Sequence, residues 1–214
     1  MEEVDNCYRK LKISIDNRSS RSTRLQRWSE FIRCRDGFRC VDCHSTNALS
    51  AHHICRKVLF AGAELDTGNG ITLCRECHRD VHAVFNRRPD LQLPVDYQEG
   101  EKLSLMQRLY SILLEDALER RAYEDRYYYL SDQMLNFFSK MQGYARSDFH
   151  CGRLEQAYLM LSEPEWNVRN AIASANGFSI SKTPLLPGGS AMTTDLEENF
   201  VVFQRYRHRT EKIK

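Results

Sequence analysis

The sequence predicts an α+β fold, in which a small core of two strands and one helix precedes a mostly α-helical C-terminal extension. Two short segments, 51–54 and 70–73, are rich in apolar and β-branched residues, which is typical of strands. The segment 75–84 follows the second strand directly and has histidines four residues apart, which share one face of a helix. Beyond residue 101, apolar residues recur every three or four positions, a pattern that indicates helices.

Two Cys-x-x-Cys pairs bracket the predicted strands, and their members are Cys40, Cys43, Cys74 and Cys77. Each pair presents two thiolates to one ion, and together the pairs complete a closed tetrahedral zinc site with Zn–S distances of about 2.3 Å. The 30 residues between the pairs must then form a folded excursion, such as a hairpin, that returns to the metal. Redox dithiols or disulfides are the alternative, but the histidine-rich insert favours a structural Zn2+.

Composition describes an ordinary globular protein. Its 214 residues suffice for one domain or two small ones, with 42% hydrophobic and 28% charged residues. The net charge of +2 is too small to indicate a partner, so any nucleic-acid surface must be local. No stretch approaches the roughly 20 apolar residues that span a membrane, and the acidic N-terminus does not resemble a signal peptide. The other four cysteines show no pairing pattern, so we expect a reducing cytoplasm.

Histidines supply the sharper chemical signal. His52 and His53 are adjacent in the first predicted strand. Because neighbouring strand residues point to opposite faces, one of them can face a metal while the other faces a substrate beside it. His78 and His82 lie one helical turn apart and can hold one ion between them.

This order of strand, loop, strand and helix resembles the HNH endonucleases, the ββα-metal family, in the variety that carries a four-cysteine zinc knuckle. The resemblance covers about residues 28–86. It implies that His53 is the general base that activates water, and that Asn69 fixes the loop and orients this base. It also implies that His78 is a metal ligand.

Two further histidines carry weaker implications of the same resemblance. His52 stands where many members have aspartate, and a double histidine at this place is similar to the colicin-type nucleases. It would be a ligand of the catalytic ion. His82 would be a third ligand or a phosphate contact.

The resemblance implies a metal-dependent DNA endonuclease or nickase, with one divalent ion acting as a Lewis acid at the leaving oxygen. A site made mostly of imidazoles leaves Mg2+, Mn2+ and Ni2+ open as the catalytic ion. Small HNH proteins with unfamiliar extensions resemble parts of phage genomes, restriction systems and anti-phage defence operons, so other proteins of such a system are expected partners. The alternatives are a non-catalytic zinc module that binds nucleic acid or protein, and an RNA or single-strand nuclease.

An arginine-rich segment precedes the first cysteine pair. It is predicted to form a helix from Ser22, with Ser20 or Ser22 as its N-cap. Arginine binds phosphate oxygens bidentately, so these side chains predict DNA contacts. A solvated charged face is the alternative. The candidate residues are Arg18, Arg21, Arg24 and Arg27.

Two parts of the chain are predicted, with a proline-containing connector over 89–100 between them. Residues 1–90 would hold the arginine-rich helix and the nuclease domain, and residues 101–214 a helical extension for target or partner recognition. The elements predicted in the extension are helices at about 103–122, 134–141, 153–161 and 162–177, a loop over 181–194, a docking segment at 196–203 and a basic, aromatic end at 205–209.

Overall fold

A computed structural model of the chain describes residues 2–84, 102–142, 150–162, 190–194 and 200–204. The helices within these ranges are α1 (Glu2–Asp16), α2 (Arg21–Arg35), α3 (Arg75–Ala83), α4 (Leu103–Glu119), α5 (Asp132–Gln142) and α6 (Arg153–Ser162). The strands are β1 (Ser50–His53), β2 (Gly70–Leu73), β3 (Ser190–Thr194) and β4 (Phe200–Gln204), and 3-10 turns lie at Ala61–Ala63 and Thr67–Asn69.

The chain divides into two compact units, residues 1–163 and residues 164–214. In the second unit β3 and β4 pair antiparallel, so the end of the loop predicted over 181–194 is a strand. The fourth predicted helix, the connector at 89–100 and the basic end at 205–209 lie outside the described residues. The division predicted between residues 90 and 101 therefore stays a prediction.

The first unit contains the predicted α+β core. Strands β1 and β2 pair antiparallel, with His52 opposite Ile71 and His53 opposite Gly70. Helix α2 packs closely on this hairpin, because a Cβ atom at Gly70 would lie 2.6 Å from side-chain atoms of both Ile32 and Trp28. Helix α3 begins directly after β2, as predicted.

The sequence reasoning did not predict α1, the first helix of the chain. Three acidic residues in its first turn favour a helix N-terminus. Its Leu11 is buried, and its Tyr8 packs on the rings of Phe31 and Tyr127. By contrast, α2 begins as predicted after Ser20, whose hydroxyl accepts a hydrogen bond from the Thr23 N–H at 3.1 Å.

Helices α4, α5 and α6 form the predicted helical part of this unit around a fully buried apolar core. Between α4 and α5, residues 127–131 run beside the loop that precedes β2. The Gly68 N–H donates to the Tyr129 carbonyl at 2.8 Å, and the Tyr129 N–H donates to the Thr67 hydroxyl at 3.0 Å. The Ser131 N–H donates to the Asp66 carboxylate at 2.7 Å. The helical part thus contacts the loop through backbone groups.

A buried arginine joins these elements. The Arg35 side chain is 1% exposed and pairs with Asp36 at 2.8 Å. Its guanidinium also donates to the carbonyls of Thr67 at 2.6 Å and Gly70 at 2.7 Å, and lies 4.3 Å from the centroid of the Tyr128 ring. A buried charge is tolerated because it is paired and its remaining N–H groups have acceptors. This single side chain therefore connects α2, the loop, β2 and the helical part.

Candidate active site

The four paired cysteines converge as the spacing predicted. Cys40 and Cys43 lie in a turn before β1, where the His44 N–H donates to the Cys40 carbonyl at 2.9 Å. Cys74 precedes α3 and Cys77 lies in its first turn. All four sulfur atoms lie within 4.8 Å of one another, and those of Cys43 and Cys74 are 3.6 Å apart. Sulfurs at the corners of a tetrahedral zinc site stand about 3.8 Å apart, given Zn–S bonds of about 2.3 Å. The cluster therefore fits Zn2+.

A backbone hydrogen bond favours the deprotonated form of one thiol in this cluster, that of Cys74. The pKa of Cys74 is lowered to about 7, chiefly because the Cys77 N–H donates to its sulfur at the start of α3. Thiolates, not thiols, bind metal ions. The helix N-terminus thus favours the charge state that zinc requires.

A second cluster brings three imidazoles together. His52 comes from β1, and His78 and His82 lie one turn apart on α3. Their candidate ligand nitrogens lie within 4.8 Å of one another, and the Nε2 atoms of His78 and His82 are 3.2 Å apart. That spacing fits two nitrogen ligands of one ion, with metal–nitrogen distances of about 2.0–2.1 Å.

Burial keeps these imidazoles in the neutral form that binds metal. Desolvation lowers the pKa of His52 to about 3, and it is the main cause of the lowered pKa of His78 and of His82. Nitrogen lone pairs are therefore available at neutral pH. Three nitrogens of this kind suit a transition-metal ion and leave coordination positions for oxygen ligands.

His53 lies on the opposite face of β1, as the strand alternation predicted. Its ring stacks on the Trp28 indole, with centroids 4.1 Å apart and planes inclined by 5°. Its Nε2 atom lies 3.0 Å from the Glu64 carbonyl oxygen. A carbonyl only accepts, so Nε2 must carry the hydrogen, and Nδ1 of the neutral ring keeps its lone pair. Burial lowers the pKa of His53, which favours that neutral ring.

Asn69 is 1% exposed and fixes the loop between the 3-10 turns. Its Oδ1 atom accepts the Cys55 N–H at 2.8 Å. Its Nδ2 group donates to the carbonyls of Cys55 at 3.0 Å and Ala63 at 3.2 Å. Ala63 immediately precedes Glu64, so these hydrogen bonds hold the segment whose carbonyl contacts His53.

The predicted DNA-binding arginines have different surroundings. Arg21 forms an ion pair with Glu64, and Arg27 forms one with Glu30 at 2.7 Å. Arg18 is exposed, while Arg24 is half-buried and its Nε atom has no hydrogen-bond partner among the described residues. The structure therefore neutralises two of the four arginines within the chain itself.

The comparison with protein families agrees with this geometry. Residues 40–83 match the family model of the HNH endonucleases. This segment is an HNH endonuclease domain. It contains both Cys-x-x-Cys pairs, the two strands and α3, so the predicted ββα core and its four-cysteine cluster are confirmed. No curated protein and no solved structure matches the chain.

Membership of this segment in the HNH family indicates a nuclease, which generally acts on DNA with a divalent metal. No helix in the described ranges combines the length and the apolar character that crossing a membrane requires.

Sequence reasoning missed two groups near the HNH site. Trp28 is 2% exposed in α2, and its stacking on His53 was not foreseen. The hydrogen bond from His53 to the Glu64 carbonyl was not predicted, because every residue has a backbone carbonyl and the sequence does not show which one is used. A tryptophan at a core position of a helix adjoining the hairpin was the one available signal.

Proposed function

We propose that this chain is a metal-dependent DNA endonuclease that hydrolyses one phosphodiester bond per catalytic event, with His53 as the general base. The arrangement of β1 carries the proposal. One of two adjacent histidines joins the three-imidazole cluster, while the other, on the opposite face of the strand, presents a neutral ring with an unprotonated Nδ1 atom. General-base hydrolysis needs such a base next to a Lewis acid.

The roles of the residues follow from this geometry. His53 accepts a proton at Nδ1 from the attacking water, and the Glu64 carbonyl stabilises the resulting imidazolium through the Nε2–H group. His52, His78 and His82 would hold the divalent ion, which stabilises charge on the phosphate and on the leaving 3′ oxygen when bound. Mg2+, Mn2+ and Ni2+ are the candidates for this ion, and Zn2+ is the candidate for the four cysteines.

DNA binding would depend on phosphate contacts from the arginines that have no carboxylate partner. Within the described residues, Arg18 and Arg24 meet this condition, whereas Arg21 and Arg27 are paired. Removing one phosphate contact should reduce the slope of log K against log salt by about 0.9. We therefore expect Arg24→Ala to weaken DNA binding and its salt dependence more than Arg27→Ala does.

The test compares wild type with His53→Ala on supercoiled plasmid DNA, with Mg2+, Mn2+ or Ni2+ added. Loss of a general base should reduce the rate about 10²- to 10⁴-fold. Zinc content and DNA affinity should remain at wild-type levels, and His150→Ala serves as a matched control because His150 is exposed. Full cleavage by His53→Ala would refute the role of His53.

The products of the same assay test the rest of the proposal. One active site per chain should give nicked circles before linear DNA, and EDTA should abolish both. Binding without cleavage under every metal would favour a non-catalytic zinc module, and preferential cleavage of RNA or single strands offered in parallel would favour the other alternative. A role in anti-phage defence predicts that cells expressing wild type, but not His53→Ala, form fewer phage plaques.

A further inference from the structure

Trp28 contacts the site from outside the segment 40–83. Its indole ring lies parallel to the His53 imidazole, with centroids 4.1 Å apart. The tryptophan is 2% exposed, and its ring packs against Gly70 of β2 next to Ile32 of its own helix. One face of the imidazole is thus covered by a buried indole ring.

The same indole also anchors the loop that supplies the hydrogen-bond acceptor of His53. The Trp28 Nε1–H donates to the Asp66 carbonyl at 3.1 Å. Asp66 stands two residues after Glu64, whose carbonyl contacts Nε2 of His53 at 3.0 Å. The Asp66 carboxylate accepts the Ser131 N–H at 2.7 Å, which holds this turn from the other side. One side chain therefore fixes both the plane of the imidazole and the backbone segment to which the imidazole is hydrogen-bonded.

We propose that Trp28 is a positioning residue, which holds the His53 ring so that its Nδ1 atom points at the attacking water. This inference rests on the proposed role of His53 as the general base. A histidine side chain has two free torsions. The Glu64 carbonyl restrains Nε2 of His53 but does not fix the tilt of the ring about that hydrogen bond. A stacked indole removes the tilt. Displacement of a catalytic group by about 1 Å can cost about 10²-fold in rate, which sets the scale of the effect.

Trp28→Leu and Trp28→Phe both reduce the apolar volume and remove the Nε1–H donor, so the difference between them reports the flat ring. Trp28→Leu provides no plane, so kcat should fall about 10- to 100-fold with little change in KM. Trp28→Phe keeps a flat ring over His53 and should restore most of the kcat that Trp28→Leu loses. The matched control is Phe31→Leu, because Phe31 is a fully buried aromatic residue of α2 that packs on Tyr8 and Tyr127. It should be destabilised without a comparable loss of kcat.

Fluorescence gives a measurement that does not depend on activity. The chain has two tryptophans, so in a Trp166→Phe background Trp28 is the only one that emits. Replacing His53 with alanine in this background uncovers one face of the indole and should shift its emission to longer wavelength. His150→Ala in the same background should leave the emission unchanged, because His150 is exposed.

The outcomes test the positioning role of Trp28 separately from the proposed nuclease activity. If wild type cleaves DNA and Trp28→Leu keeps the kcat of Phe31→Leu, the positioning role is wrong and the nuclease function stands. If Trp28→Leu does not fold, the emission decides, since no shift on His53→Ala would mean that the rings are not stacked in solution. If wild type cleaves no nucleic acid with any metal, the proposed function itself fails, and the positioning role with it.

Discussion

Replacing Asn69 with aspartate changes a single atom of a buried side chain and should disrupt the loop that supports His53. The Nδ2 group of Asn69 donates to two carbonyl oxygens, those of Cys55 at 3.0 Å and Ala63 at 3.2 Å. An aspartate oxygen in its place would face both carbonyls as a third acceptor. The Oδ1 atom would still accept the Cys55 N–H, so the change is confined to one side of the group.

The magnitude follows from these contacts. A buried acceptor that loses its donor costs about 1–3 kcal/mol, so two such carbonyls give a loss of about 2–6 kcal/mol. Asn69 is 1% exposed, so solvent cannot compensate for the missing donor. Typical domains have free energies of unfolding of about 5–15 kcal/mol, and the variant should therefore be severely destabilised.

Urea denaturation of the zinc-loaded protein measures this loss, and plasmid nicking measures its consequence for the site. Cleavage should fall by about 10²-fold even where the variant is folded, because the Glu64 carbonyl is no longer fixed against His53. Asn47→Asp is the matched control, since Asn47 is exposed and surface changes usually remain within about 0.5 kcal/mol. An Asn69→Asp protein with wild-type unfolding energy and full cleavage would refute this account of the loop.

Three further predictions concern the metal clusters and the loop. First, the pKa of His52 is about 3 in the folded chain and 6.5 ordinarily, so between pH 3 and 6.5 the unfolded chain binds more protons. Without an ion at the three histidines, the free energy of unfolding should therefore fall as the pH drops through that window. The fall should be less steep in His52→Gln. Second, Cys77→Ser should release zinc, seen in a chelator dye assay, and lose much of the roughly 10 kcal/mol that such sites contribute to folding. Third, Gly68→Ala would put a Cβ atom 2.5 Å from the Tyr128 carbonyl oxygen and should cost about 1–3 kcal/mol in urea, more than Gly62→Ala, whose added Cβ would first meet the Phe60 side chain at 3.0 Å. The first prediction is wrong if His52→Gln has the same pH slope as wild type, and the second if Cys77→Ser retains zinc. The third is wrong if both glycine variants lose the same free energy of unfolding.

Local patterns explain why the HNH core could be read from the sequence. A Cys-x-x-Cys turn, an alternating pair such as His52 and His53, and the i, i+4 spacing of His78 and His82 each fix relative positions over a few residues. The convergence of the two cysteine pairs was then required by their shared metal. The other helices from α2 to α6 followed from apolar periodicity, with boundaries within a few residues of those observed. Helix α1 was not predicted, although Val4, Tyr8, Leu11 and Ile15 recur every three or four residues.

Contacts between residues far apart in the chain could not be read in this way. The Arg21–Glu64 pair joins residues 43 positions apart, and Arg35 binds the Thr67 carbonyl across 32 positions. Both arginines looked alike in an arginine-rich run. Arg21 is exposed and pairs with Glu64 in the loop that precedes β2, whereas Arg35 is buried inside the fold. Their difference depends on which face of α2 meets the hairpin, and packing alone decides that.

Three groups hydrogen-bond to the loop from Glu64 to Asn69 or to the residue before it, and two of them lie outside residues 40–83. Asn69 fixes the loop from within, and Trp28 of α2 holds it at the Asp66 carbonyl. The third support comes from the helical part, where the Ser131 N–H binds the Asp66 carboxylate. Catalytic loops need such rigid neighbours, since a base that moves by about 1 Å loses much of its effect. Residues 127–131 therefore contribute to the geometry of the loop whose carbonyl contacts His53.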